Sequence, residues 1–241
     1  MIHYHGTRIA CSDDQCARIL KGRHAFVSFA DPSQLSIVQE VCQTWALDNG
    51  AYSFFNSGKK VDWDDFYLFV EEVRSPSMDF FVIPDVIGGS EEENDALIQT
   101  CPFKDGVPVW HTDESIKRLE KLIERFSLIC LGSGKGLIPN HHDWWIRINQ
   151  ALDVICNSMG KPKVKIHGLR MLNPEVFTKI PFTSADSTMV GRNINNKWNG
   201  SFKPISIFAK AQVLIDRIES FNAPAKWEKQ SVQGELWSQN I

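Results

Sequence analysis

Eight short runs rich in Val, Ile and Phe recur along the chain, at 2–5, 25–29, 45–48, 80–84, 107–111, 128–131, 164–168 and 182–186. Each is apolar nearly throughout, without strict alternation of polar and apolar residues. A strand of that kind is covered on both faces, as in a parallel sheet. Between the runs lie longer stretches whose apolar residues fall on one side only. Those are helices laid against a sheet.

The clearest helix is DESIKRLEKLIERF, where Ile116, Leu119, Ile123 and Phe126 recur at three- and four-residue spacing among Lys, Arg and Glu. SDDQCARIL opens on Ser12 as an N-cap, and DPSQLSIVQEVCQTW and WDDFYLFVEEVR follow. SEEENDALIQT carries its acids at the N-terminal end, where the helix dipole favours them. DWWIRINQALDVICNSMG ends on Gly160 with Pro162 beyond, a C-cap and a stop. NPEVFTK leaves room for a short helix only, and PISIFAKAQVLIDRIESF runs up to Pro224. Eight such β-α units in about 220 residues fit a single (β/α)8 TIM-type barrel. The expected division is an α/β barrel over 1–222 and a tail over 223–241, with Trp227 and Trp237, docked on the barrel or on a partner. A doubly wound open sheet would need a GxGxxG turn after a strand. LGSGKG (131–136) lacks both that spacing and the Ser or Thr that follows a P-loop lysine.

The chain has 241 residues and a formal charge of −3, which argues against coating nucleic acid by bulk electrostatics but leaves room for a local basic groove. No apolar run approaches the roughly 20 residues of a membrane span. The first residues, MIHYHGTRIACSDD, do not have the layout of a secretory signal. Six scattered cysteines, none in Cys-x-x-Cys, indicate neither a disulfide framework nor a zinc knuckle. The expectation is a cytoplasmic protein with reduced thiols, no bound metal and no cofactor.

In a barrel, catalytic groups sit at the C-terminal ends of the strands. The eight runs end on His5-Gly6, Asp48, Asp85, His111, Gly132-Ser133-Gly134, His167-Gly168 and Asp186, the second run alone adding nothing. An aspartate after a strand is also a common turn former. Three of them at three strand ends would converge on one mouth. Neighbouring carboxylates push each other's pKa values apart, so one stays ionised while another carries a proton. A third can accept hydrogen bonds from a ring N–H and an amine. Tyr52, close after Asp48, offers a flat face to a planar base.

These residues resemble tRNA-guanine transglycosylases. DNGAYSFF (48–55) is similar to that family's Asp-Ser-Gly-Gly-Phe/Tyr-Gln-x-Phe stretch, and ADSTMVGRN (185–193) to its second segment, where Arg-Asn follows an aspartate. DFFVIPD (79–85), ICLGSG (129–134) and KIHGLRM (165–171) fall, in the family's order, where it has a base-reading aspartate, a glycine-rich strand end and a strand leading to a glycine. The departures are specific. No paired cysteines follow the eighth run, so the family's zinc site has no counterpart. Ser53 replaces its glutamine, and Val190-Gly191 its Pro-Thr. A short, zinc-less chain is more similar to the DNA-directed branch, which places 7-deazaguanines such as preQ0 into the DNA of phages and bacterial modification clusters.

The resemblance implies a double displacement, with a free 7-deazaguanine and DNA as substrates. Asp186 attacks C1′ to give a covalent glycosyl-enzyme, and Asp48 moves the protons. Asp85 holds the base's N1–H and amine, Gly132 and Ser133 offer backbone hydrogen bonds, Tyr52 and Met171 stack, and His167 lines the base site. A guanine in duplex DNA would have to be flipped out. Phosphates would meet the loop after the eighth run, with Arg192, Asn193, Lys197 and Lys203; Lys59 and Lys60 are a weaker patch. A homo-oligomer or an accessory DNA-modification protein are the expected partners, without a membrane. The rival readings are a tRNA-directed enzyme of this family, a non-catalytic barrel, and an amidohydrolase-type metal enzyme. The last would use His3-x-His5 with His111 and Asp186.

Overall fold

The structure, a computed structural model, describes residues 1–196 and 206–229. Its strands are β1 (Ile2–Gly6), β2 (His24–Ser28), β3 (Thr44–Asp48), β4 (Met78–Phe81), β5 (Val109–His111), β6 (Leu128–Gly132), β7 (Lys165–Gly168) and β8 (Ser184–Ser187). All are parallel and follow each other in the order β4-β3-β2-β1-β8-β7-β6-β5. The ends of that order meet. Val82 bridges Val107, Ile83 N–H donates to the Val107 carbonyl and Val107 N–H to that of Phe81, each at 2.9 Å. The chain is a (β/α)8 barrel.

Side chains alternate across each strand, and the alternation sorts the core into two layers. Tyr4, Phe26, Ala46, Phe80, Val82, Val107, Val109 and Cys130 point inward and fill the barrel. Their neighbours Trp45, Leu47, Phe81, Ile83, Trp110, Ile129, Leu131, Ile166 and Ala185 point outward into the helix layer. The runs looked continuous because both layers are dry.

The helices are α1 (Asp13–Leu20), α2 (Leu35–Val41), α3 (Ala51–Ser57), α4 (Trp63–Val73), α5 (Glu91–Thr100), α6 (Ile116–Arg125), α7 (His142–Ile155), α8 (Pro174–Phe177), α9 (Met189–Asn193) and α10 (Ile207–Glu219). Ser12 with Gln15, and Ser90 with Glu93, form reciprocal capping boxes on α1 and α5. Three expectations change. α2 covers only the middle of DPSQLSIVQEVCQTW, because Thr44 and Trp45 already belong to β3. AYSFFNS is a helix, α3, bounded at both ends by left-handed glycines, Gly50 and Gly58. A further short helix, α9, carries Arg192 and Asn193. The tail's first residues dock on the barrel, with Trp227 N–H donating to the Gly160 carbonyl at 2.8 Å and Lys229 paired with Asp153. Trp237 lies outside the described residues. No helix among them is long and apolar enough to cross a membrane.

Candidate active site at the barrel mouth

Inward-facing positions one layer above the apolar interior are Ser28 on β2, Asp48 on β3, His111 on β5, Gly132 on β6 and Asp186 on β8. Asp85 joins them from the loop after β4. The three aspartates expected at strand ends do converge. The charges of Asp186 and Asp85 both act on Asp48, and all three act on Cys130 in the layer below.

Asp48 is held by two donors, Ser28 Oγ and the Gly50 N–H, each 3.1 Å from Oδ2. Burial, then repulsion from Asp186 and Asp85, raises its pKa to about 6. It therefore carries a proton part of the time near neutrality. Asp186, 4% exposed, accepts a hydrogen bond from the Arg170 N–H at 2.8 Å. His167 Nε2 stands 3.3 Å from the same oxygen. That ring is fully buried, with Nδ1 against Ser184 Oγ at 2.9 Å and its face stacked on Phe26.

Asp85 has a different environment. Asn49 Nδ2 donates to its Oδ1 at 2.7 Å, and His111 Nε2 meets Oδ2 at 3.0 Å. His111 Nδ1 faces Glu114 at 3.3 Å, and Glu114 pairs with Arg118, whose Nε pairs with Asp95 at 2.7 Å. Burial opposes a charge on His111, but the two flanking carboxylates outweigh it and raise its pKa to about 10. Burial likewise opposes the Glu114 charge, and His111 with Arg118 overcomes it. The result is a row of alternating charge, Asp85–His111–Glu114–Arg118–Asp95, running from the mouth into the helix layer. Among the described residues, no group of three or more His, Cys, Asp or Glu is arranged to hold a metal ion.

Several expected site residues sit elsewhere than the sequence suggested. Met171 is fully buried in the outer core, against Gly168, and has no exposed face on which a base can stack. His167 lies inside the barrel beneath Asp186, in the layer below the mouth. The smallness of Gly50 serves the fold: a side chain there would meet the Ala30 backbone at 2.8 Å, and its φ is +78°. Ser133 is exposed beside the buried Gly132, but the next two backbone N–H groups are already bound, Gly134 to Thr112 and Lys135 to Asp113. Tyr52 is 42% exposed on α3. Arg192 is exposed on α9, and Asn193 donates to the Met189 carbonyl. Lys197 and Lys203 lie outside the described residues. His3 and His5 share a face, but it is the outer one. His3 contacts the Phe221 carbonyl and His5 the Glu219 carboxylate, so this pair does not reach the mouth that holds His111 and Asp186.

Four contributors escaped the sequence reading. Ser28 was legible by parity with Phe26. Asn49, Glu114 and Arg170 had no such signal. Arg170 adopts a left-handed φ of +58°, which costs a non-glycine residue on the order of 1 kcal/mol. Its guanidinium carbon lies 3.7 Å from the centroid of the Tyr52 ring.

No family model matches the chain, and no curated protein matches it. Among solved structures it is similar to one described as "a putative fructose-1,6-biphosphate aldolase from Coccidioides immitis". The TM-score is 0.52 at 12% identity, over 91% of this chain and 89% of that one. At that identity the likeness concerns the barrel fold alone.

Proposed function

We propose that this protein is a DNA base-exchange transglycosylase that replaces guanine with a 7-deazaguanine through a glycosyl-aspartate intermediate. The observation that carries the reading is the convergence of Asp48, Asp85 and Asp186 in three unlike environments. A double displacement at C1′ uses two carboxyl functions, an ionised nucleophile and a group that exchanges a proton near neutrality, and a third, fixed carboxylate can hold the base edge.

Asp186 fits the first role. One oxygen is fixed by the Arg170 N–H, which leaves the other to attack C1′. Guanine departs as the glycosyl-aspartate ester forms. Asp48 fits the second, because a pKa of about 6 lets it give a proton to the leaving base and take one from the incoming base. Asp85 fits the third, since Asn49 and His111 fix its plane and each oxygen keeps a lone pair for an N–H. The DNA-directed branch rests on the sequence resemblance.

The test is incorporation. Protein is incubated with guanine-containing DNA, or with tRNA, and radiolabelled guanine or preQ0. Label entering DNA, lost in Asp186→Asn, supports the reading. Label entering tRNA instead would move the assignment to the RNA-directed branch. No incorporation into either by folded protein would overturn it.

A further inference from the structure

Arg170 and Tyr52 join opposite sides of the mouth. β7 and β3 are four strands apart in an eight-stranded ring, so they face each other across the barrel. Arg170 follows β7, and its backbone N–H is committed to Asp186. Its side chain reaches over to Tyr52 in the first turn of α3, just beyond Asp48. The arch therefore spans the two carboxylates that the exchange reading places on either side of the sugar.

The arch is loosely held. Arg8, Arg23, Arg74 and Arg118 are each paired with a carboxylate. Among the described residues, neither Arg170 nor Arg192 is in such a pair. An exposed guanidinium on an exposed ring, with a hydrogen bond between the two side chains, is a contact that a phosphate can replace. Arg192 stands on the same rim, close enough for its charge to act on Tyr52. It is fixed there because α9 packs so tightly on the β1–α1 loop that a side chain at Gly191 would meet the Arg8 carbonyl at 2.6 Å. Two guanidiniums outside any ion pair among the described residues thus act on one aromatic ring at the rim that carries Asp48 and Asp186. A planar base and an anionic backbone match that arrangement, since guanidinium binds a phosphodiester through two parallel hydrogen bonds.

We propose that Arg170 is a phosphate-binding residue of this site that rests on Tyr52 before substrate enters, and that Arg192 binds the same stretch of substrate backbone. The proposal rests on the nucleotide-exchange reading. On entry of the target nucleotide the guanidinium leaves Tyr52 for the flanking phosphodiester. The ring face it covered becomes free for the base. The backbone bond to Asp186 keeps Arg170 at the rim while its side chain swings.

Binding of a guanine-containing single-stranded DNA oligonucleotide, followed by fluorescence anisotropy over a range of salt concentrations, tests this without requiring turnover. Loss of one phosphate contact reduces the slope of log K against log salt by about 0.7 for a single strand. Arg170→Met should show that reduction and weaken binding roughly 10-fold at low salt. Arg170→Lys should recover the slope but not the full affinity, because lysine cannot bind bidentately. Arg192→Met should lower the slope by a similar step. In protein labelled with 3-fluorotyrosine, saturating oligonucleotide should move the Tyr52 ¹⁹F resonance toward its position in free Arg170→Met. If the wild type exchanges guanine and binds DNA, but Arg170→Met has the same slope and affinity, this inference falls and the exchange reading stands. An unmoved Tyr52 resonance at saturation overturns that resting position. A wild type that neither exchanges guanine nor binds the oligonucleotide overturns both.

Discussion

The two ends of this barrel use the same residue type to opposite effect. At the N-terminal end Asp79 accepts hydroxyl protons from Tyr4, at 2.5 Å, and from Thr44, whose oxygen also contacts His24 Nδ1 at 2.8 Å. Burial and the Asp79 charge push the Tyr4 pKa up, so that the phenol remains a donor. At the C-terminal end three carboxylates face one another. His111 is paired with Asp85, and burial with repulsion from Asp186 and Asp85 raises the pKa of Asp48 to about 6. Each of Asp79 and Asp48 accepts from two donors, so what separates them is burial and neighbouring charge: Asp79 is exposed, whereas Asp48 is withdrawn from solvent beside the charges of Asp186 and Asp85. Barrels commonly keep stability at the N-terminal face and chemistry at the other.

Asp186→Asn should break the comparison most decisively. The amide oxygen can still accept from Arg170 N–H, so the loop is kept while the carboxylate proposed as nucleophile is lost. Exchange should fall by at least about 10³-fold, with an unchanged circular dichroism spectrum. A variant retaining more than a tenth of wild-type rate would make the mouth another polar layer, like the opposite end.

Asp48→Asn should lower exchange by about 10²–10⁴-fold, the usual worth of a general acid-base. Its effect on stability runs the other way. The folded pKa, about 6, lies above the ordinary 3.8. The native state therefore binds the proton more tightly, and stability falls as pH rises from about 4 to about 6. Above that window the wild type holds a repelled carboxylate that asparagine removes. Urea unfolding at pH 8 should find Asp48→Asn more stable, by on the order of 2 kcal/mol. A less stable variant there would mean that Asp48 is as well satisfied as Asp79.

The eight strands were legible because apolar runs covered on both faces leave a continuous signal, and the three aspartates because strand ends are easy to count. Other features depend on distances the chain does not advertise. AYSFFNS has the aromatic content of a strand, and only the left-handed glycines on either side make it a helix. Arg118 reads as one more charge on the wet side of DESIKRLEKLIERF, yet it is 2% exposed because Glu114 and Asp95 come to meet it. His111 was visible as a strand end, but its partner Asp85 is 26 residues away. Arg170 has no local signal, because its position depends on a left-handed backbone and on a ring from across the barrel.

His111 is where the mouth most nearly borrows the satisfied pattern of the other end. Its folded pKa, about 10, exceeds the ordinary 6.5. The stabilisation it provides is complete below pH 6.5 and is lost as pH rises toward 10. His111→Gln leaves Asp85 and Glu114 without a cation between them, and should cost about 3–5 kcal/mol near neutrality. Its thermal midpoint should also lose most of the wild type's decline between pH 7 and 10. At temperatures where it remains folded, KM for the free base should rise more than kcat falls, because Asp85 is displaced while Asp48 and Asp186 are not. A fall in kcat alone would place Asp85 outside base recognition.

The smallest effect belongs to Asp79→Ala, and it decides whether the two ends are independent. Removing the carboxylate leaves the buried Tyr4 hydroxyl without an acceptor, a loss of about 1–3 kcal/mol in urea unfolding. If the ends are separate, exchange at 20 °C keeps its kcat, and the stability effects of Asp79→Ala and Asp186→Asn add within about 0.5 kcal/mol. A physical route connects the two ends. The Tyr4 ring meets His167 edge-on with centroids 5.8 Å apart, and His167 Nε2 stands 3.3 Å from Asp186. A tilt of Tyr4 would thus be passed up the barrel axis to Asp186. A tenfold loss of kcat in folded Asp79→Ala would show that the N-terminal end sets the orientation of Asp186.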